Sequence, residues 1–571
     1  MRGEATGAGP ESVPGAMAGS ASGPAAGAPT PIPAGDRAAP APDPHRRWVL
    51  AACCTVACAR LVDPKLWMMG LDIPDTAFGA GWQPYRVFST VTVLLLLAGM
   101  LFGGFLGDVF GRRRVLLLGT VVSTVAGALT FFAPSEPWFV VTRSVDAAAG
   151  AVAFPLTLAV VRLTFHGRER PLALLVYTAV TGAALLVAFV ALALEARAGW
   201  RATLVLPVLT GVAGGALAWR WVPESRARAR ARHRAATAAA WALILLPLTL
   251  GFAAARLAGA WDNPVSLTAL AVAGLGLLTL GLAWRGRVRA GATARLPWRR
   301  RHLLSVMLLT AAVLSFGLTG YALQLYGFFT VVQGYGAVLA GVLLLPLLVA
   351  FPLTAPRVAR RALQSAARPL VAGGLALMGG AAVLTALVRP GVPYWLLIAP
   401  MALFGFGFLV AQTAWTNAYL GAMPDAVVGA SAGISKATAT TGSALAGALL
   451  GFVVQLAGQA DFARRLADLG LTAAQSAAAS AALDALLRAD AASAAPPPPS
   501  VAELGLLSVY HEAYTVGVAA ALLGTGVLCL LAAGLAWLAL EPRRAAAAGA
   551  PALAPALGGP LAAPDRDSAR T

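Results

Sequence analysis

The chain has 571 residues, of which 58% are hydrophobic and only 12% charged, and its mean hydropathy is +0.75. Water-soluble domains carry about 25% charge, so this composition excludes a globular protein with a polar coat and points to a lipid solvent. The net charge of +19 does not indicate nucleic acid, because the arginines stand in short clusters between apolar spans without interleaved aromatic residues.

Residues 1–46 are rich in Ala, Gly and Pro, with few apolar side chains to offset chain entropy, and are expected to be a disordered tail. Fourteen apolar spans follow, at approximately 48–70, 87–107, 115–133, 137–161, 171–194, 201–222, 237–259, 264–284, 303–325, 335–355, 369–388, 393–416, 429–456 and 512–540. Lipid offers backbone groups no hydrogen bonds, so spans of this length are expected to be helices. Arg60, Asp63 and Lys65 interrupt the first span.

Arginines accumulate in alternate loops: Arg112 to Arg114, Arg168 and Arg170, the cluster from Arg226 to Arg234, the run from Arg285 to Arg301, and Arg357 to Arg368. By the positive-inside rule these loops, and with them both termini, face the cytoplasm. The loop 457–511 then lies outside; it is Ala-rich, carries Asp461, Asp468, Asp484 and Asp490, and reads either as a short amphipathic helix or as a disordered tether. Residues 542–571 are expected to be a second disordered cytoplasmic tail.

Cys53, Cys54, Cys58 and Cys529 all sit inside apolar spans and read as small hydrophobes. The five histidines are too scattered for a metal cluster, and no phosphate-binding Gly-x-x-x-x-Gly-Lys-Ser/Thr loop is present. The expectation is a protein with no cofactor or metal that is not an enzyme.

The charged turn after the second span reads Gly104-x-x-x-Asp108-x-x-Gly111-Arg112-Arg113. It resembles the loop signature of the major facilitator superfamily. The fourteen spans, with 237–259 and 264–284 between two blocks of six, resemble that family's fourteen-helix drug:proton antiporter branch. Gln333-Gly-Tyr335 with Ala340-Gly341 and Pro346, Gly429 to Gly433, Arg143 with Gly150, and Val222-Pro-Glu-Ser225 are similar to further family motifs. The fifth span keeps only Gly182 of the antiporters' glycine-rich run, and Asp146 stands where the fourth-span motif usually has Gln.

The resemblance implies an all-α polytopic membrane protein of the major facilitator fold. Residues 47–225 would form an N-terminal six-helix bundle, 226–301 two inserted helices with basic linkers, and 302–541 a C-terminal six-helix bundle. It implies a monomeric secondary transporter of a bacterial cytoplasmic membrane, moving a small molecule against protons by alternating access. Efflux of amphipathic drug-like compounds leads; a proton symporter or uptake carrier, or a membrane-embedded sensor or scaffold, remains as an alternative.

Within this frame, Gly104, Asp108, Gly111, Arg112 and Arg113 are candidates for a conformational latch, with Asp108 meeting a helix N-terminus or an Arg of its own turn. A static positive-inside anchor is the competing reading. Ionisable groups at membrane depth are costly unless paired, so Arg60, Asp63, Lys65, Arg143, Asp146 and Lys436 are candidates for substrate or proton coupling. A rise of about 1.5 Å per residue puts Arg60 level with Asp146, and Asp63 level with Arg143, which suggests two ion pairs between the first and fourth spans. Of the 43 Lys and Arg residues only Lys65 and Lys436 are lysines, and a desolvated Lys can give up its proton where Arg cannot. Gln324, Gln412 and Asn417 offer hydrogen bonds to substrate or glue helices together. Tyr321 and Trp415 offer ring faces.

Overall fold

A computed structural model of the protein describes residues 44–68, 82–166, 169–225, 298–348, 367–423, 428–468 and 507–540, some of them by backbone alone. The described residues are helical throughout, with no strand among them. The first six helices are α1 (Pro44–Met68), α2 (Trp82–Phe110), α3 (Arg112–Phe131), α4 (Glu136–Thr164), α5 (Glu169–Ala198) and α6 (Val205–Trp221). The second six are α7 (Trp298–Gly327), α8 (Ala337–Val342), α9 (Ala367–Thr385), α10 (Tyr394–Ala422), α11 (Val428–Asp468) and α12 (Leu507–Ala539). The two expected inserted spans, the C-terminal tail, all but the last residues of the N-terminal tail and most of the loop 457–511 fall outside the described residues.

Each helix has a local cause. Gly111 breaks α2 from α3 with φ 111°, a conformation closed to most side chains, so the chain turns sharply before three arginines. α8 is short because Pro346 has no N–H to give the carbonyl of Val342, where the helix stops and the backbone tightens into i→i−3 bonds. Pro44 opens α1, so the first helix starts inside what the sequence assigns to the tail. α11 is longer than its expected span: its 41 residues reach Asp468, well into the loop assigned to 457–511. At about 1.5 Å per residue it extends roughly 60 Å, twice the hydrocarbon core. Its far end is fastened by Arg465, which pairs with Asp461 at 2.6 Å and also with Glu512 at the start of α12.

Packing divides the helices into two groups. α1 lies against α4, α5 and α6, and α4 against α2 and α3; α7 lies against α11 and α12, and α9 against α10 and α12. The groups meet where α11 crosses α2 and α4, and where α5 meets α8 and α10. Eight of the described helices are long and apolar enough to cross a membrane. Their outward faces are apolar: Leu118, Phe132, Leu387, Leu531 and Leu538 are all more than 60% exposed, a surface suited to lipid and not to water. Exposed Trp48, Trp219 and Trp537 lie near one set of helix ends, and Trp138 and Trp395 near the other, as interfacial anchors do.

Candidate functional site

Between α1, α3 and α4 lies a buried knot of charge. Arg60 Nη1 is 2.7 Å from Asp146 Oδ1, and Arg143 Nη1 is 2.9 Å from Asp146 Oδ2, so one carboxylate holds two guanidinium groups. Ser123 of α3 bonds both Arg60 and Asp146. Arg143 and Asp146 are each 4% exposed. Removing one member of such a buried group leaves an uncompensated charge, a loss of about 3–5 kcal/mol. Arg60 fits because residue 150 is glycine: a Cβ there would stand 2.7 Å from Arg60 Cδ and Nη1.

The sequence placed Arg60 level with Asp146, and the structure puts them in contact. It also adds what depth counting omits, the bond from Arg143 to Asp146 one turn along the same helix. The side chains of Asp63 and Lys65 lie outside the described residues, so the second proposed pair is not addressed.

A second constellation joins the two groups of helices at the Arg112 end. Asp108, at the end of α2, accepts Arg112 Nε at 2.9 Å and the backbone N–H groups of Gly429 at 3.2 Å and Ala430 at 2.9 Å. Those amides belong to the first turn of α11, whose orphan donors and positive dipole end favour a carboxylate. Glycines make the approach possible. A Cβ on Gly104 would stand 2.1 Å from Gly429 O, and one on Gly429 would stand 2.3 Å from Asp108 Oδ1. Both partners anticipated for Asp108 are therefore engaged together.

The other two arginines of the turn are occupied differently. Arg113 donates to the carbonyl of Trp219 near the end of α6, and Arg114 Nε lies 3.6 Å from Glu224. Arg170, which the sequence marks only for orientation, and Arg162, which it does not mark, complete this surface. Arg162 Nε donates to Leu420 O at 3.1 Å, and Arg170 Nη2 to Asn417 O at 3.1 Å. Both carbonyls lie at the C-terminal end of α10, so cations meet the negative end of one helix while Asp108 meets the positive end of the next. A guanidinium beside a span end looks in sequence like a topology signal, and nothing separates the two uses.

Lys436, on α11, is half-buried, with Nζ 4.7 Å from the centre of the Phe154 ring and 5.6 Å from that of Tyr177. These rings belong to α4 and α5, so Lys436 also spans the two groups of helices. Gln324 on α7 is buried, and neither atom of its amide has a partner among the described residues. Gln412 Nε2 bonds Thr416 on its own helix at 3.2 Å, while the backbone oxygen of Asn417 serves Arg170. Tyr321 and Trp415 hold helices together: Tyr321 bonds Thr385 at 2.6 Å and stacks on Phe404, and Trp415 Nε1 donates to Met307 O at 2.7 Å.

The sequence profile described as Major Facilitator Superfamily matches residues 49–448. The chain is 27% identical over 508 residues to the multidrug efflux pump LfrA of Mycolicibacterium smegmatis, covering 87% of this chain and 97% of that protein. It is 28% identical to the methyl viologen resistance protein SmvA of Salmonella typhimurium, covering 63% of this chain and 73% of the relative. Among solved structures it is similar in fold to the human organic anion transporter MFSD10, with a TM-score of 0.53 at 17% identity over 86% of this chain and 100% of that one.

Proposed function

Because this chain belongs to the major facilitator superfamily, we propose that it is a proton-coupled exporter of amphipathic drug-like compounds, working by alternating access. The observation that carries the coupling is the buried Asp146 carboxylate shared by Arg60 and Arg143. In the facilitator fold the helices corresponding to α1 and α4 flank the central cavity, where a charge change at one carboxylate acts on both the substrate and its own partners. A proton arriving on Asp146 from outside cancels the charge that holds the two guanidinium groups. The freed donors then reorganise, substrate leaves outward, and loss of the proton inward resets the cluster. The sequence offers Asp63 as a second carboxylate for coupling. Lys436, Gln324, Gln412 and Asn417 offer contacts to substrate from the other half.

The contacts of Asp108, Arg162 and Arg170 close the Arg112 end of the interface. By the positive-inside rule this end is cytoplasmic, together with both termini, so the conformation is one shut toward the cytoplasm of a bacterial plasma membrane. A monomer suffices, since both halves of the site lie on one chain. Multidrug and methyl viologen resistance in the relatives supports export of organic compounds. Direct symport is the second reading, favoured by the fifth span's retention of Gly182 alone from the antiporters' glycine run.

The test is a drug-susceptibility profile of a deletion strain against an overexpressing one. Export predicts opposite shifts in tolerance for the same compounds, and Asp146→Asn should abolish the overexpression effect. Identical profiles in the two strains, or sensitisation on overexpression, would reject export.

A further inference from the structure

One face of α4 carries Asp146, Gly150, Phe154 and Thr157, spaced four, four and three residues apart, so they form a single stripe. Arg60 reaches this stripe from α1, lying over Gly150 and bound to Asp146. Lys436 reaches it from α11, lying over Phe154, with Tyr177 beside it fixed by a 2.8 Å bond to Thr157. Gly150 and Phe154 are one helical turn apart, about 6 Å of rise. Two cations from opposite halves of the molecule therefore converge on neighbouring turns of one helix.

Neither cation is saturated. Among the described residues no carboxylate lies within 4 Å of Lys436 Nζ, which faces the two rings. Arg60 spends Nη1 on Asp146 and Ser123, while its Nε is buried with no hydrogen-bond partner among the described residues. Among the described contacts, Arg60 and Arg143 share Asp146, and Lys436 meets no carboxylate. A half-buried ammonium at membrane depth without a counterion is costly, and ring faces repay only part of the loss.

We infer that the missing counterion comes with the substrate: the stripe of α4 between Arg60 and Lys436 receives the acidic group of an amphipathic organic anion, a carboxylate or sulfonate, with Phe154 and Tyr177 against its apolar body. This rests on reading the α1–α4 cluster as the transport site and names the substrate class for it. Lys436 is then a specificity-determining residue that acts by charge, so Arg can replace it and Gln cannot.

Fluorescein and rhodamine 123 share a ring system and carry opposite charge, which makes them a matched pair of probes. Their binding to the full-length protein in lipid nanodiscs is measured by equilibrium dialysis against empty nanodiscs. The wild type is expected to bind fluorescein about tenfold tighter than rhodamine 123, Lys436→Gln to lose that preference, and Lys436→Arg to keep it within about threefold. A wild-type preference for rhodamine 123, no saturable binding of either dye, or a ratio untouched by Lys436→Gln overturns the inference. The wild-type ratio decides even where Lys436→Gln does not fold. Proton-coupled export of rhodamine 123 without a fluorescein preference removes the anion assignment and leaves the exporter standing. Fluorescein preference in a protein that moves no solute does the reverse.

Discussion

Substituting Asn for Asp108 tests whether the contact between α2 and α11 is a latch or an anchor. The carboxylate accepts two backbone N–H groups across the interface, at 3.2 and 2.9 Å. Hydrogen bonds to a charged group are worth about 1.5–3 kcal/mol each, so the pair contributes roughly 3 kcal/mol at the lower bound. An Asn retains one neutral acceptor, worth about 1 kcal/mol, and the closed arrangement loses roughly 2 kcal/mol, about a thirtyfold shift in population. Arg112 complicates this variant because it loses its own partner. Gly429→Ala does not, since all charges stay while the new Cβ would stand 2.3 Å from Asp108 Oδ1 and force the helices apart. Spin labels at Arg114 and Met423, read by double electron–electron resonance, report the separation at this end. The four native cysteines are buried and leave the introduced ones selectively labelled. Both variants should move the distance distribution from a short to a long component. Unchanged distributions in both would make Asp108 a static anchor and refute the reasoning.

Asp146→Asn should lower the melting temperature of the detergent-solubilised protein, because Arg60 and Arg143 lose their shared counterion at a cost of about 3–5 kcal/mol; a melting temperature equal to wild type would contradict that. Arg162→Gln and Arg170→Gln each remove a charged donor from the end of α10 and should open the same end by about 1–2 kcal/mol apiece, read in the same spin-label pair. Gly150→Ala brings a methyl into the space of Arg60 and should abolish drug tolerance while leaving membrane insertion normal, checked by cell-surface yield. Normal tolerance in that variant would mean Arg60 is not needed where it lies.

Regular helices made the cluster legible in part. Arg60 and Asp146 were placed at one depth by counting residues, which works because rise per residue in a membrane helix hardly varies. Ser123 is not legible, since a serine in an apolar span carries no sign of which way it faces. Arg170 is hidden for a different reason, its charge being absorbed into the orientation argument, and Arg162, one residue past the fourth span, carries no motif that marks it. The extent of α11 is not legible because Asp461, Arg464 and Arg465 read as loop residues, although they pair at helical spacing on its last turns. Tyr321 and Trp415 advertised ring faces, but their polar tips are committed to Thr385 and to the Met307 carbonyl, and a sequence does not say where a tip ends.

The most direct measurement is proton flux on purified protein in liposomes, with rhodamine 123 and fluorescein offered in turn across an imposed pH gradient. Proton-coupled export predicts that adding a transported dye dissipates the gradient, that dye moves opposite to the protons, and that Asp146→Asn stops both. Dye movement that ignores the gradient, or that runs in the same direction as the protons, would contradict the account.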